Sequence, residues 1–479
     1  MKRAVTSLTL TASLLLAACT TVGPNYQLPP QAAVNKPAVQ GAFQQSQGAA
    51  VVSVAALPAH WWRLYRSAEL DALVEQALNA NTSLRVAEAH LRRATALRAE
   101  IHGEHDPKFG AVAAVKRARE SGESFLLPEQ LPVENEGELA ISASYQLDLW
   151  GQLKRGEEAA EANVEAVEAA KDLARVSVVA QTVQSYLQLC HAKAEKQVAE
   201  QALELQQRSL SLGQRMLAAG RGSTSEVLRA QGQLETQRAS MPRFDAERDA
   251  AFYRLAALLG RAPQQLSASE VSCATPPQLD QALPVGDGAA LLKRRPDLRQ
   301  AERQVAVASA RIGVATAALY PSISIGASAG LVGLVEDLGR PATQTFGIGS
   351  LIQWHIPDAG AKARIRMAEA DEQAALAQFD GAVLNALAEA ESALSRYRND
   401  LQRQGALRAA RDRAAALAAE QKRFFEEGRH PYAANLDAQR VLIGAESALA
   451  AADADVAQDQ VRVFLSLGGG WEGPAATSP

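Results

Sequence analysis

Hydrophobic and polar positions along the chain follow two rhythms. Phe109, Ala111, Ala113 and Val115 alternate with Lys108, Gly110, Val112, Ala114 and Lys116, the period of two expected of a β-strand. A second run alternates more cleanly, with Leu139, Ile141, Ala143, Tyr145, Leu147 and Leu149 set against Ala140, Ser142, Ser144, Gln146 and Asp148. Ile323, Ile325, Ala327, Ala329 and Leu331 oppose Ser322, Ser324, Gly326, Ser328 and Gly330, and a last strand puts Phe346, Ile348, Ile352, Trp354 and Ile356 on one side. Amphipathic strands of about ten residues have the length and dyad pattern of transmembrane β-strands. A half-buried sheet on a soluble domain would alternate in the same way. The charge phase favours the membrane, because Lys108 and Lys116 fall off the apolar face, where a midplane lysine costs about 2–4 kcal/mol.

The second rhythm is helical. A first helix from Thr82 to about Ile101 ends before Asp106-Pro107, which opens a strand. From about Gln152 to Ala219 the chain has no proline and is bounded by Gly151 and Gly220, predicting one helix of about 100 Å at 1.5 Å per residue. Its counterpart runs from about Ala361 to Glu427. Val176, Ala180, Val183, Leu187, Cys190 and Ala194 step by four and three, a coiled-coil seam, and Leu376, Phe379, Val383, Leu387, Ala390, Leu394, Tyr397 and Leu401 step similarly. Each long helix turns at a glycine-rich tip, Gly220-Arg221-Gly222-Ser223-Thr224 or Gly428-Arg429-His430-Pro431, into a return helix. Ser223 or Thr224 can cap the first return, and Pro431 suits the opening turn of the second. Pro242 is expected to break the first return helix midway.

The pattern occurs twice. Ser83 to Glu88 aligns with Asp297 to Glu302 at a shift that also lays Asp106-Pro107 on Tyr320-Pro321, and Gly220, Leu228, Gln231 and Gly260 align with Gly428, Leu436, Gln439 and Gly468. A whole unit of helix, strand, strand, very long helix and helix is duplicated. Four strands cannot close a barrel, and open edges cannot sit in hydrocarbon. Strands pooled from three chains make about twelve and leave a lumen, whereas about eight from two would be filled by side chains. The expected fold is therefore mainly α with membrane β: a trimeric α-helical barrel, or tunnel, continuous with a 12-stranded transmembrane β-barrel, four strands per chain. Taken without the strands, the helical seams would suit a dimeric coiled coil or bundle.

Composition agrees. Aromatic residues are only 5% of the chain, as suits close-packed helices rich in alanine, and a net charge of -4 without a basic stripe argues against nucleic acid. Lys2 and Arg3, the apolar run Ala4 to Leu16, and Leu16-Ala17-Ala18-Cys19 read as a lipoprotein signal in which Cys19 becomes the lipid-modified first residue. Thr20 in place of Asp matches outer-membrane sorting. The expected organisation is a signal peptide over 1–18, a lipid-anchored extended linker over 19–60, repeats over 61–270 and 291–470 joined by a linker over 271–290, and a flexible tail over 471–479. Cys190 and Cys273 could form one bridge in an oxidising compartment, but the place of Cys190 on an apolar seam argues for a buried small hydrophobe. His102, Glu104 and His105 invite a metal reading without a full ligand set.

Cys19 to Tyr26, Leu147-Asp148-Leu149-Trp150-Gly151, Arg294-Arg295-Pro296-Asp297, Ile312 to Ala315, Leu319-Tyr320-Pro321-Ser322, Leu436 to Arg440 and Leu467-Gly468-Gly469-Gly470-Trp471 together resemble the TolC family of outer-membrane factors, in its lipoprotein (NodT-type) branch. The resemblance covers nearly the whole chain. It implies a homotrimer with a twelve-helix periplasmic tunnel and an equatorial belt, sitting in outer-membrane lipid. Its partners would be a periplasmic adaptor and an inner-membrane pump, commonly of the resistance-nodulation-division (RND) class. The function implied is the passive exit duct of a tripartite efflux pump, with no cofactor beyond the lipid on Cys19 and no catalysis. Adaptor docking would fall on the tips at Gly220, Arg221, Gly222, Gly428 and Arg429. Asp437 matches the acidic residue of the family's periplasmic aperture, and Ala433 stands where a bulky apolar residue is usual. The family's closing latch, an aromatic hydroxyl and an arginine on a Thr-Asp pair, falls on Phe425, His430, Ser225 and Glu226. Phenylalanine has no hydrogen-bond donor and histidine is mostly neutral near pH 7, so that latch is weakened or replaced.

A type I protein-secretion duct shares this fold and differs by partner. A coiled-coil envelope lipoprotein acting as a tether would lack a channel. The seven scattered histidines and the absence of a nucleophile elbow, phosphate loop or zinc signature speak against an enzyme.

Overall fold

The computed structural model describes residues 21–46, 51–267, 269–273, 275–279, 281–356 and 359–470. Cys19, the predicted signal peptide and the predicted tail lie outside the described residues. The elements follow in the order α1 (Pro37–Gln40), β1 (Val52–Ser53), α2 (Ala68–Ala80), α3 (Thr82–His102), β2 (Lys108–Ala118), β3 (Glu134–Leu147), α4 (Gln152–Ala218) and α5 (Thr224–Leu258). After β4 (Leu283–Pro284) and α6 (Gly288–Arg294), the second half repeats the series with α7 (Pro296–Ala317), β5 (Ser322–Leu334), β6 (Gln344–Gln353), α8 (Ala359–Glu426) and α9 (Tyr432–Ser466). The described residues group into two compact units, one within 1–29, 90–167 and 300–379, the other within 30–89, 168–299 and 380–479.

The first unit holds the sheet, an antiparallel array in the order β2-β3-β5-β6. Its register joins the four alternations into one surface. Phe109 pairs Ala143, Ala143 pairs Ala327 and Ala327 pairs Ile348, while Ala111, Ile141, Ala329 and Phe346 form the next row. Directly paired residues point to the same side, so every apolar set shares one face. The opposite face carries Lys108, Ser144, Gly326 and Gly349 in one row and Lys116, Glu136 and Leu334 in another. The apolar face is uncovered: Phe346 is 88% exposed and Ile348 82%. Trp150 stacks on Tyr320 at 4.6 Å beyond the ends of β3 and β5, and its indole N–H donates to the Pro321 carbonyl at 2.9 Å. Among the described residues no helix is long and apolar enough to cross a membrane.

The second unit has a conventional core. Trp61, fully buried, stacks on Phe464 of α9 at 4.5 Å, and the Tyr65 hydroxyl donates to Gln460 at 3.1 Å. Val176, Ala180, Val183, Leu187 and Cys190 of the predicted seam are all buried. Arg295 donates to Asp297, to Glu389 at 2.9 Å and to the Ser466 carbonyl at 2.8 Å, which satisfies a guanidinium that would be costly to bury unpaired.

Three expectations need correction. Cys190 and Cys273 form a disulfide, with Cα atoms 5.6 Å apart. Cys190 does lie on the buried seam, but Lys193 donates to the Ser272 carbonyl at 2.6 Å and the Glu69 carboxylate accepts from the amides of Ser272 and Cys273, which draws residues 272–273 onto α4. Tyr186 also donates to Glu69, at 2.9 Å; burial, with this carboxylate beside it, pushes its hydroxyl up to about 12. Pro242 does not break α5. It removes one amide from a ladder whose neighbours on both sides hold, and Ser240 Oγ bonds the Gln237 carbonyl at 2.7 Å. The stretch expected as an extended linker is folded in part: its helix α1 and flanking turns bury Val39 and Phe43, and β1 pairs in parallel with β4.

Candidate functional site

The helical tips are shaped by glycine. Gly220 takes φ +67°, so that its N–H reaches the Leu217 carbonyl at 3.0 Å and that of Arg221 reaches Met216 at 2.9 Å, a Schellman ending. Gly428, at φ +71°, repeats it, with its N–H on Phe425 at 2.9 Å and that of Arg429 on Phe424 at 2.8 Å. No atom lies within 4 Å of where a Cβ would stand at either glycine, so the requirement is backbone sign rather than space. α5 then starts on a capping box: Ser223 Oγ accepts from Glu226 N–H and the Glu226 carboxylate accepts from Ser223 N–H at 2.9 Å. Pro431 occupies the cap position of α9 rather than its first turn.

These turns decide what the predicted latch residues do. Glu226 is engaged in its own cap, and Ser225 Oγ lies 2.9 Å from Ser223 Oγ. Phe425 packs on Tyr432 at 5.0 Å between ring centroids, and His430 Nδ1 lies 2.7 Å from Gln421 Oε1. Arg429 sits over the Phe424 ring at 4.5 Å and pairs with Glu427 at 3.2 Å. Among the described residues no hydrogen bond or ion pair joins Ser225 or Glu226 to Phe425 or His430. Ala433 is exposed on the first turn of α9, and Arg221 and Gly222 complete the first tip.

Asp437 is placed differently. Its carboxylate, 70% exposed, accepts from Arg440 at 3.0 Å, one turn along α9. The same guanidinium donates to Ser209 Oγ on α4, linking the return helix to the long one. Sequence reasoning named Asp437 and missed both partners. The three-residue spacing to Arg440 is a legible helical pair, whereas Ser209 is 231 residues away and had no local signal. Farther up the chain, His102 Nδ1 lies 2.8 Å and His105 Nε2 3.5 Å from the Glu157 carboxylate, but no group of three or more His, Cys, Asp and Glu among the described residues is placed to hold a metal.

A duplicated, helix-rich chain with an amphipathic four-stranded sheet matches one family model twice: outer membrane efflux protein, over residues 73–261 and 289–469. The chain belongs to that family. Outer-membrane efflux proteins of known structure share its fold: the outer-membrane channel OprN superposes with a TM-score of 0.85 at 33% identity, covering 94% of this chain and all of that one. Outer membrane protein OprJ of Pseudomonas aeruginosa is 30% identical over 96% of this chain and 95% of its own length. Nodulation protein T of Rhizobium leguminosarum bv. viciae is 28% identical over 97% and 94%. The efflux protein described here is an outer-membrane channel component of an efflux pump, and channels of its family form homotrimers that act with a periplasmic adaptor and an inner-membrane transporter.

Proposed function

We propose that three copies of this chain close their sheets into one 12-stranded barrel, continued by a helical tunnel, through which small molecules pass passively after delivery by an RND-type pump. One observation carries the reading. The sheet is open at β2 and β6, and its apolar face is uncovered in the single chain. Unpaired strand edges cost several kcal/mol per backbone group in hydrocarbon, so edges and face are satisfied together only by closure in lipid. The opposite face, with its Ser, Gly, Lys and Glu rows, then lines a wet lumen. The duct itself catalyses nothing and needs no cofactor beyond lipid on Cys19; transport is driven by the pump.

The glycine-turned tips at Gly220 to Gly222 and at Gly428 and Arg429 are the surface offered to the adaptor. At the aperture, Arg440 braces Asp437 and Ser209, a bridge between α4 and α9 that stands in for a latch through Phe425 and His430. Three such Asp437–Arg440 pairs around the axis hold the resting mouth narrow and give it sensitivity to cations. Asp437→Ala is expected to raise single-channel conductance in planar bilayers severalfold. Conductance and cation sensitivity both equal to those of the unaltered channel would remove the aperture assignment.

A further inference from the structure

The chain enters the described structure at Thr21, two residues after Cys19, and is gripped at once. Arg155, in the first turn of α4, is 3% exposed. Its guanidinium donates to the Val22 carbonyl at 3.1 Å, the Gly23 carbonyl at 3.2 Å and Asn25 Oδ1 at 2.8 Å, and pairs with Glu158 at 2.6 Å. The Val22 amide donates to the Trp150 carbonyl at 3.0 Å, and the Tyr26 hydroxyl donates to Glu302. The fit leaves no room for side chains. A Cβ on Gly23, which sits at φ +85°, would fall 2.4 Å from Gly313 Cα, and one on Gly151 would fall 2.4 Å from Thr21 Cγ2.

Helix α4 does not need this arrangement in order to start, because Asp148 already accepts from the amides of Leu153 and Lys154. A buried arginine with three of its contacts on a passing peptide is therefore a built receptor for that peptide.

We propose that Arg155, Gly151 and Gly313 form a cradle that positions the lipid anchor, fixing residues 21–26 beside the Trp150–Tyr320 pair so that the acyl chains enter the bilayer at that level. Aromatic residues of this kind sit at membrane interfaces. With the cradle closed, Cys19 lies two steps along the chain from a fixed point at Thr21, a reach of about 7 Å; held only at Tyr26, the anchor is free over about 24 Å. The acyl chains supply affinity for the membrane, and the cradle supplies the place. This inference rests on the lipoprotein reading of Cys19.

The test uses the full-length lipoprotein carrying a photoactivatable fatty acid, with hydrogen exchange read by mass spectrometry. Gly23→Ala alters only the strap, and Arg155→Ala only the receptor, so a folding failure of one leaves the other to decide. In both, the peptide spanning residues 21–26, whose Val22 amide is held by the Trp150 carbonyl, should exchange about 100-fold faster, as a local opening does, while peptides from β2 to β6 keep their protection. Acyl crosslinks, concentrated near Trp150 and Tyr320 in the unaltered protein, should scatter in the variants. Unchanged exchange in both variants overturns the cradle. Faster exchange with unmoved crosslinks overturns its role in placing the lipid. A peptide carrying Cys19 without acyl mass sinks the lipoprotein reading and leaves the exchange result standing.

Discussion

Strand β6 and helix α9 belong to the same repeat and meet their surroundings in opposite ways. All ten residues of β6 are exposed in the chain, including Phe346 and Ile348. In the last turns of α9, by contrast, Val461, Val463 and Phe464, with Leu467 just beyond the helix, are almost wholly covered, and even Asp459 and Gln460 are buried. The helix finds its apolar partners within the chain that encodes it. The strand does not: its apolar side chains are uncovered and only its β5 edge is paired, so in the proposed barrel lipid on one face and a neighbouring chain's strand at the open edge stabilise it. On that proposal the second half of the chain carries two kinds of core, one internal and one supplied from outside.

The largest effect is expected at the strand. Ile348→Arg puts a charge on the row proposed to face lipid, at a cost of about 2–4 kcal/mol per chain. Loss of the trimer in detergent and of outer-membrane fractionation is expected; an unchanged trimer would show that this face does not meet lipid.

The internal core gives the next effect. The Cys190–Cys273 bridge closes a separation of 83 residues, and removing it with Cys190→Ser or Cys273→Ser should lower stability to urea by about 4 kcal/mol. The same loss should appear when reductant is added to the unaltered protein, followed by helical circular dichroism in detergent.

The smallest effect is one of pH. Burial, with Asp400 beside it, pushes the Asp459 carboxyl up to about 6. The native state then holds that proton more tightly than the unfolded chain, so this group's contribution falls as pH rises from about 4 to 6 and stays absent above. Burial acts on His191 in the other sense, lowering it to about 4 against the pull of Asp453, so its contribution is lost as pH falls from about 6.5 to 4. Relative to the unaltered protein, the Tm of Asp459→Asn should gain progressively toward neutral pH, and that of His191→Gln should gain toward acid. Parallel Tm profiles for all three would show that these groups do not titrate as buried ones.

Much of this was legible because it is periodic. A period of two assigns each residue of β2, β3, β5 and β6 to a face whatever the strand pairs with, and the structure's register kept the assignments within these strands; Leu149, Trp354 and Ile356 lie beyond the strand ends. Glycine at Gly220 and Gly428 marked both tips, since a left-handed residue is needed wherever a helix ends in that turn. The proposed aperture was legible only in part. Phe425, His430, Ser225 and Glu226 fall at the tips, but each is engaged with residues of its own tip.

Local and repeating features could be read from the residues alone: the two-faced strands, the long proline-free helices, the paired tips and the recurring series of elements. Tertiary structure alone decided which distant atoms meet. Cys190 reaches Cys273, Arg440 reaches Ser209 and Arg155 grips the chain beyond Thr21, each across a separation that carries no periodic signal. The reason is physical: periodicity reports which side of an element is apolar, whereas a contact between far-apart residues depends on how the intervening chain folds back.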